Sequence, residues 1–216
     1  MYVPAAYRAD DSWLRRIIDG YPLATLVTNG QRTPYATHLP VIFDPRSDDP
    51  DSPLEGSFLL GHLNRANPHW AALTDSIVAK LVFTGPHSYV TPTLYNTSPA
   101  APTWNFVSVH LEGRLHPITE LDETLTVVQE TVTKFEERFG DGWKMDESLD
   151  YFRHIGVAVG AFRFEVLTAD GMFKLSQEKD AEVRRQVADR FSSESGTRLE
   201  LSALMHEFEG LTVKIQ

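Results

Sequence analysis

The chain has no cysteine among its 216 residues. That excludes disulfides, zinc–thiolate sites, iron–sulfur ligation and a thiolate-ligated haem. Positive charge is also scarce: 20 Lys and Arg stand against 30 Asp and Glu, a formal net charge of −10. Phosphate neutralisation supplies most non-specific affinity for nucleic acid, so no nucleic-acid partner is expected. The helix predicted over 178–191 carries Arg184, Arg185 and Arg190, but Asp180, Glu182 and Asp189 offset them. No apolar run approaches membrane-spanning length, and no basic start precedes an apolar stretch. A cytoplasmic location and no membrane partner are therefore expected. Phosphate-binding P-loop, Rossmann glycine pattern, Gly-x-Ser-x-Gly elbow and His-Glu-x-x-His pair are all missing. Any catalysis then falls to a bound cofactor rather than to a recognisable side-chain triad.

What is present fits one globular domain over 1–216, with 42% hydrophobic and 23% charged residues. A short helix is expected over 11–19, capped by Asp10 or Asp11, apolar at Trp13, Leu14, Ile17 and Ile18, and stopped by Gly20 and Pro22. Strands are expected over 23–28 and 33–43, joined at the Asn29-Gly30 hairpin signal, and over 57–63, 77–84 and 160–167. The Asp-, Pro- and Ser-rich 44–53 segment reads as an exposed loop, and Asp170-Gly171 as a turn. Asn67-Pro68 reads as the cap and first residue of a helix through Leu73. The clearest helix is 122–139, where Leu125, Val128, Val132 and Phe135 recur at helical spacing and Gly140 follows. Further helices are expected over 148–155, 178–191 and 199–208, so the helical insertion spans about 120–156 and the C-terminal helices about 178–208. Short strands with inserted helices indicate a mainly β fold with α insertions, an antiparallel Greek-key-like barrel with peripheral helices.

One stretch organises the rest. Gly85-Pro86-His87-Ser88-Tyr89-Val90-Thr91-Pro92 reads as loop and turn, because its prolines exclude a helix. From Thr103 the chain alternates: Trp104, Phe106, Ser108 and His110 share one face, and Asn105, Val107, Val109 and Leu111 the other. Both faces are apolar, so both are expected to be buried. Trp104 and Phe106 form a large apolar wall, suited to core packing or to the plane of a porphyrin or isoalloxazine.

His62 ends an apolar strand on the face of Phe58 and Leu60, just before the helix opened by Asn67-Pro68. Helix starts offer free N–H groups and partial positive charge. With donors from Arg65 and Asn67, this segment can hold an FMN phosphate or a haem propionate with His62 on the metal; the plainer alternative is a hydrogen-bonded core histidine. His69, beside Trp70, is the second candidate ligand but better suits packing or capping. His87 reads as a distal group, a substrate contact or a plain turn residue, and Tyr89 and Thr91 sit at the loop mouth as hydrogen-bond donors. His38 and His110 read as structural, and His116, His154 and His206 as surface residues.

Five ordered segments resemble the PaiB-type family, the "FMN-binding negative transcriptional regulators". They are Met1-Tyr2-Val3-Pro4, Ala36-Thr37-His38-Leu39-Pro40, Gly61-His62-Leu63-Asn64-Arg65-Ala66-Asn67-Pro68, the Gly85–Val90 stretch with Pro102-Thr103-Trp104-Asn105-Phe106, and Phe173-Lys174-Leu175-Ser176-Gln177. The resemblance implies an FMN-binding split barrel, a homodimer with cofactors at the subunit interface, and cofactor contacts from Lys174 and Gln177. Within the family the chain is most similar to haem-dependent piperazate synthases: the 95–102 segment is short, Glu178 follows Gln177 where the family has Asn, and Gly171-Met172-Phe173-Lys174 fits that branch. This implies haem b, with FMN as the alternative, and closure of N5-hydroxy-L-ornithine to L-piperazic acid with loss of water. His62 is then the iron ligand; Arg65, Asn67, Trp104, Phe106, Lys174 and Gln177 contact the cofactor; Tyr89, His87 and Lys174 are the candidates for proton transfer. The alternatives are a flavin reductase-like enzyme and a PaiB-type regulator or binding protein.

Overall fold

The computed structural model describes residues 1–95 and 97–212, with side chains to Phe208; Asn96, in the short 95–102 segment, lies outside the described residues. Six helices and six strands follow in the order α1 (Asp11–Gly20), β1 (Leu23–Thr28), β2 (Tyr35–Phe43), β3 (Phe58–Asn64), α2 (Pro68–Ala72), β4 (Ile77–Val90), β5 (Thr103–Ile118), α3 (Leu121–Phe139), α4 (Leu149–Gly156), β6 (Val159–Lys174), α5 (Ala181–Ser192) and α6 (Thr197–Thr212). The strands close an antiparallel barrel in the order β1-β2-β3-β6-β5-β4. Among the described residues, no helix is long and apolar enough to cross a membrane.

The chain divides into two compact units. The first to describe is Asp11–Phe83 with His110–Ala169. It contains β1, β2 and β3 entire and the paired parts of β4 and β6: β1 lies between β2 and β4, and β3 between β2 and β6. Inside, Phe83, Phe162 and Phe164 are fully buried. Gly61 pairs with Phe162 across β3 and β6, and a Cβ at Gly61 would collide with that ring. Glycine is therefore required next to His62, which turns to the opposite, outer face. On that outer face α3 covers a cluster of Ile42, Leu60, Ile118, Val127 and Ala161.

The α3 contact face lies a residue earlier than apolar spacing predicts. Thr124, Leu125, Val127 and Thr131 are the buried residues, whereas Val128, Val132 and Phe135 are half-buried. The two threonines tolerate burial because their hydroxyls donate to carbonyls, Thr131 to Val127 O at 2.8 Å and Thr124 to Ile118 O at 3.5 Å. At α1, Arg15 is buried beside the apolar stripe because Asp48, Ser52 O and the Ser57 hydroxyl take its guanidinium protons.

The second unit comprises Met1–Asp10, Thr84–Val109 and the described residues from Asp170 onward. Its core joins α5 and α6 through Val183, Val187, Phe191, Leu201, Leu204 and Met205, with Phe173 stacked on Phe208 at 5.5 Å.

Four expectations need correction. Residues 85–90 are strand, not loop: β4 runs to Val90. Gly85 and Pro86 are buried in succession, which breaks the alternation and places the proline at an irregularity, where a missing N–H is tolerated. The 103–111 strand buries its whole Asn105, Val107, Val109 and Leu111 face but only Ser108 of the other; Trp104 is 51% exposed and Phe106 and His110 are half-buried. Asp170-Gly171 does not turn but continues β6 to Lys174. The 178–191 helix starts later, because Asp180 caps it by accepting from Val183 N.

Candidate functional site

His62 stands on β3 with Ala161 of β6 opposite. Its ring is half-buried and lines a cavity of about 510 Å³. Leu39, Pro40, Leu63, Ile155, Ala158 and Val159 supply apolar walls; Thr37, Asn64 and Asn67 add neutral polar groups. No lysine, arginine or carboxylate lines it among the described residues. Burial lowers the His62 pKa, so the imidazole is neutral at neutral pH. Its Nδ1 is shielded from solvent and has no hydrogen-bond partner. Packing rather than a bond at Nδ1 therefore holds that side of the ring, and the residue lines the cavity.

His69 is a different kind of residue. It is 1% exposed, its Nε2 and Nδ1 meet the hydroxyls of Thr28 and Thr37, each at 2.9 Å, and it stacks on Tyr35 at 5.2 Å. With both nitrogens engaged, it has no lone pair left for a metal.

The turn into α2 uses its donors internally. Ala66 N donates to Asn64 Oδ1, Asn67 N to Asn64 O, His69 N to Asn67 Oδ1 and Trp70 N to Asn67 O. Asn67 also donates its amide to Thr37 Oγ1 at 3.2 Å. Arg65 spends its guanidinium on the carbonyls of Val159 and Thr119, at 2.7 and 2.8 Å. Arg65 and Asn67 therefore brace β3 and α2; Asn67 lines the cavity, and Arg65 is not among its lining residues.

His38 is the residue sequence reasoning undervalued. It is exposed on β2, lines the same cavity as His62, and its Nδ1 meets Thr25 Oγ1 at 3.0 Å. The available signal was the alternation Thr37-His38-Leu39, which puts His38 opposite the inward Leu39.

The other predicted residues fall in the second unit. His87 and Tyr89 flank the exposed Trp104 ring, with centroids 5.6 and 6.3 Å away. Phe106 follows Trp104 on the same face. Lys174 Nζ donates to Thr103 Oγ1 at 2.5 Å. Gln177 is folded onto its own backbone, accepting from Leu175 N at 2.6 Å and donating to Phe173 O at 2.5 Å. Among the described residues no group of three His, Asp or Glu could hold a bare metal ion. A porphyrin iron asks less of the protein, since the macrocycle supplies four ligands and one imidazole completes the attachment.

Comparisons with known proteins agree with this fold. The chain is 26% identical over 212 residues to "Protease synthase and sporulation protein PAI 2" of Bacillus subtilis, covering 96% of this chain and 97% of the relative. Among solved structures, an FAD and haem binding protein from Mycobacterium smegmatis superposes with a TM-score of 0.54 at 16% identity, over 82% of this chain and 77% of that one. The flavocytochrome Anf3 from Azotobacter vinelandii gives 0.53 at 18% identity, over 83% and 75%. These neighbours share the split-barrel fold. A family model described as "Putative FMN-binding domain" matches residues 1–168, and the chain belongs to that family, the PaiB-like split barrels.

Proposed function

We propose that this chain is a haem-dependent cyclase of the piperazate synthase kind, joining the two nitrogens of N5-hydroxy-L-ornithine with loss of water to give L-piperazic acid. The observation that carries the cofactor reading is His62: a neutral imidazole whose Nδ1 has no hydrogen-bond partner among the described residues, on a strand at the wall of an apolar cavity. That donor set fits haem. The similarity of the 95–102 and 171–178 segments to the piperazate synthase branch carries the choice of reaction.

His62 would hold the iron, and Leu39, Pro40, Leu63, Ile155 and Val159 would exclude water from the ring. Haem bound there would supply a Lewis-acidic iron able to polarise a hydroxylamine N–O bond. The rigid β3–β6 pairing fixes His62 within the sheet, as a metal ligand requires. Thr37 Oγ1 and the Asn67 amide are taken up by His69 and by each other, which leaves the Asn64 amide nitrogen as the neutral donor that would orient a polar substrate. The reaction is redox-neutral overall, so no external oxidant or reductant enters it.

The family's description favours a second reading, an FMN-binding reductase-like enzyme. A flavin phosphate and a buried haem propionate both ask for a cation or free N–H groups; among the described residues the cavity is lined by no cation and the donors at the start of α2 are already bonded, so the preference for haem rests on His62, an imidazole that a flavin does not require. The net charge of −10 weighs against a DNA-binding regulator.

The proposed assembly is a homodimer. The outward row of Leu23, Thr25 and Val27 on β1 and Val78, Lys80 and Val82 on β4 leaves Leu23 65% and Val78 62% exposed, and a two-fold copy would cover it. Light scattering that returns a monomer with cofactor fully bound contradicts the dimer. For the activity, the purified, haem-loaded protein is incubated anaerobically with N5-hydroxy-L-ornithine. The expected product is the cyclic hydrazine lacking one water; unchanged substrate contradicts the reading.

A further inference from the structure

The cavity at His62 contains a second imidazole with a different environment. Val41 pairs with Gly61 and Ile42 with Leu60, which sets Pro40 opposite His62 and His38 one diagonal step along the same outer face. Directly across β1, Thr25 pairs with His38 and holds its Nδ1 through the side-chain hydroxyl at 3.0 Å. Such a bond fixes ring orientation and leaves Nε2 as the nitrogen open to a ligand. His38 is exposed where His62 is half-buried. The residues that line the cavity come from β2, β3, the α2 turn and the end of α4 with the start of β6, and they bring no carboxylate, lysine or arginine. The two histidines are therefore its titratable side chains among the described residues. His62 is the one suited to the metal, because desolvation keeps it neutral.

We propose that His38 is the proton-transfer residue of this site, acting through Nε2 on an N-hydroxylated diamine held in the cavity. The proposal rests on the ring-closing reading above. The α nitrogen's lone pair becomes the new N–N bond, and the N–O bonding pair leaves with the hydroxyl oxygen. One α N–H bond breaks; His38 Nε2 takes that proton and delivers one to the departing hydroxyl, which leaves as water. The α nitrogen is oxidised by one level and the side-chain nitrogen reduced by one, so atoms and electrons balance without a co-reactant. Hydroxide is a poor leaving group, and a positioned imidazole is the usual group for this task at neutral pH. Lys174, an earlier candidate for the role, already donates to Thr103.

The test compares full-length wild type, His38→Gln and His38→Ala, each with its cofactor as purified. Three quantities are read: the haem spectrum, turnover of N5-hydroxy-L-ornithine against pH, and protons exchanged when unreactive L-ornithine binds. The last comes from calorimetry in buffers of different ionisation heat. We expect His38→Gln to keep the wild-type haem spectrum and L-ornithine binding. Turnover should fall by about 10²–10⁴-fold, the usual share of a general acid–base group. The proton exchange of wild type should vanish, and free imidazole should partly restore His38→Ala. Wild-type turnover with an unchanged pH profile in His38→Gln overturns the proposal and leaves the cyclase reading standing. Loss of haem from His38→Gln also overturns it, making His38 a ligand or a support for one. If haem-loaded wild type makes no cyclic product, the cyclase reading fails by itself. Proton exchange that disappears with His38 would then still support its proton-transfer role in the cavity, and exchange that survives its removal would overturn that role.

Discussion

Asn105 and Ser176 hold each other by a reciprocal pair of buried hydrogen bonds: Asn105 Nδ2 donates to Ser176 Oγ at 2.9 Å, and Ser176 Oγ lies 3.0 Å from Asn105 Oδ1. Together with the Lys174–Thr103 bond, they tie the Pro-Thr-Trp-Asn-Phe segment to the Phe-Lys-Leu-Ser-Gln segment. Two stretches that stand out in the sequence are thus partners in one structural brace. Ser176 adopts φ 69°, a left-handed conformation that a non-glycine residue keeps only when its surroundings hold it there. Asn105→Ala leaves the fully buried Ser176 hydroxyl unpaired and should cost about 1–3 kcal/mol. Chemical denaturation reads that loss; an unchanged midpoint would mean that the brace is dispensable.

His69→Ala should destabilise without touching the cofactor. It removes a buried ring and strands the buried Thr28 hydroxyl, for a loss of about 2–4 kcal/mol. The haem content of the folded fraction should match wild type. A stable His69→Ala protein without haem would reassign the ligand.

Stability should fall with acid in two windows. Burial lowers the pKa of His62 and of His69. Unfolded histidines titrate near about 6.5. As pH drops through that value the unfolded chain takes up protons that the folded chain refuses, so stability declines until the folded-state values are passed. Each ring contributes a slope of at most about 1.4 kcal/mol per pH unit. Asp44 acts lower: burial pushes its carboxyl up, but Arg46 and Arg163 outweigh that and hold it below the usual carboxylate range. Its contribution is present above the ordinary carboxylate pKa and lost as pH falls through the depressed value. Urea midpoints of wild type and His69→Gln across both windows check the assignment, with the slope in the histidine window shallower in the variant.

Much of the barrel was legible because its residues repeat with the period of their element. α1, β1 and β3 end within a residue or two of where composition puts them. β4 was cut short because Pro86 reads as a strand breaker, whereas the burial of Gly85 and Pro86 in succession marks an irregularity that accommodates it. The buried face of α3 was displaced because Thr124 and Thr131 count as polar until their carbonyl partners are known. Residues 103–111 looked buried on both sides because apolarity does not distinguish a core face from an exposed wall such as Trp104. Within the candidate site, His62 stood out through its strand and its neighbours. His38 did not, because its relation to His62 runs across the β2–β3 register, which local pattern does not contain.

The central claim is that His62 binds haem iron. The most direct measurement is the absorption spectrum of the purified full-length protein beside that of His62→Ala, with and without added imidazole. The account predicts a sharp Soret band in wild type. In a folded His62→Ala protein the band should be lost or displaced, and it should return in part with imidazole. A wild-type protein showing only broad yellow flavin bands, or a His62→Ala protein with an unaltered Soret band, would contradict it.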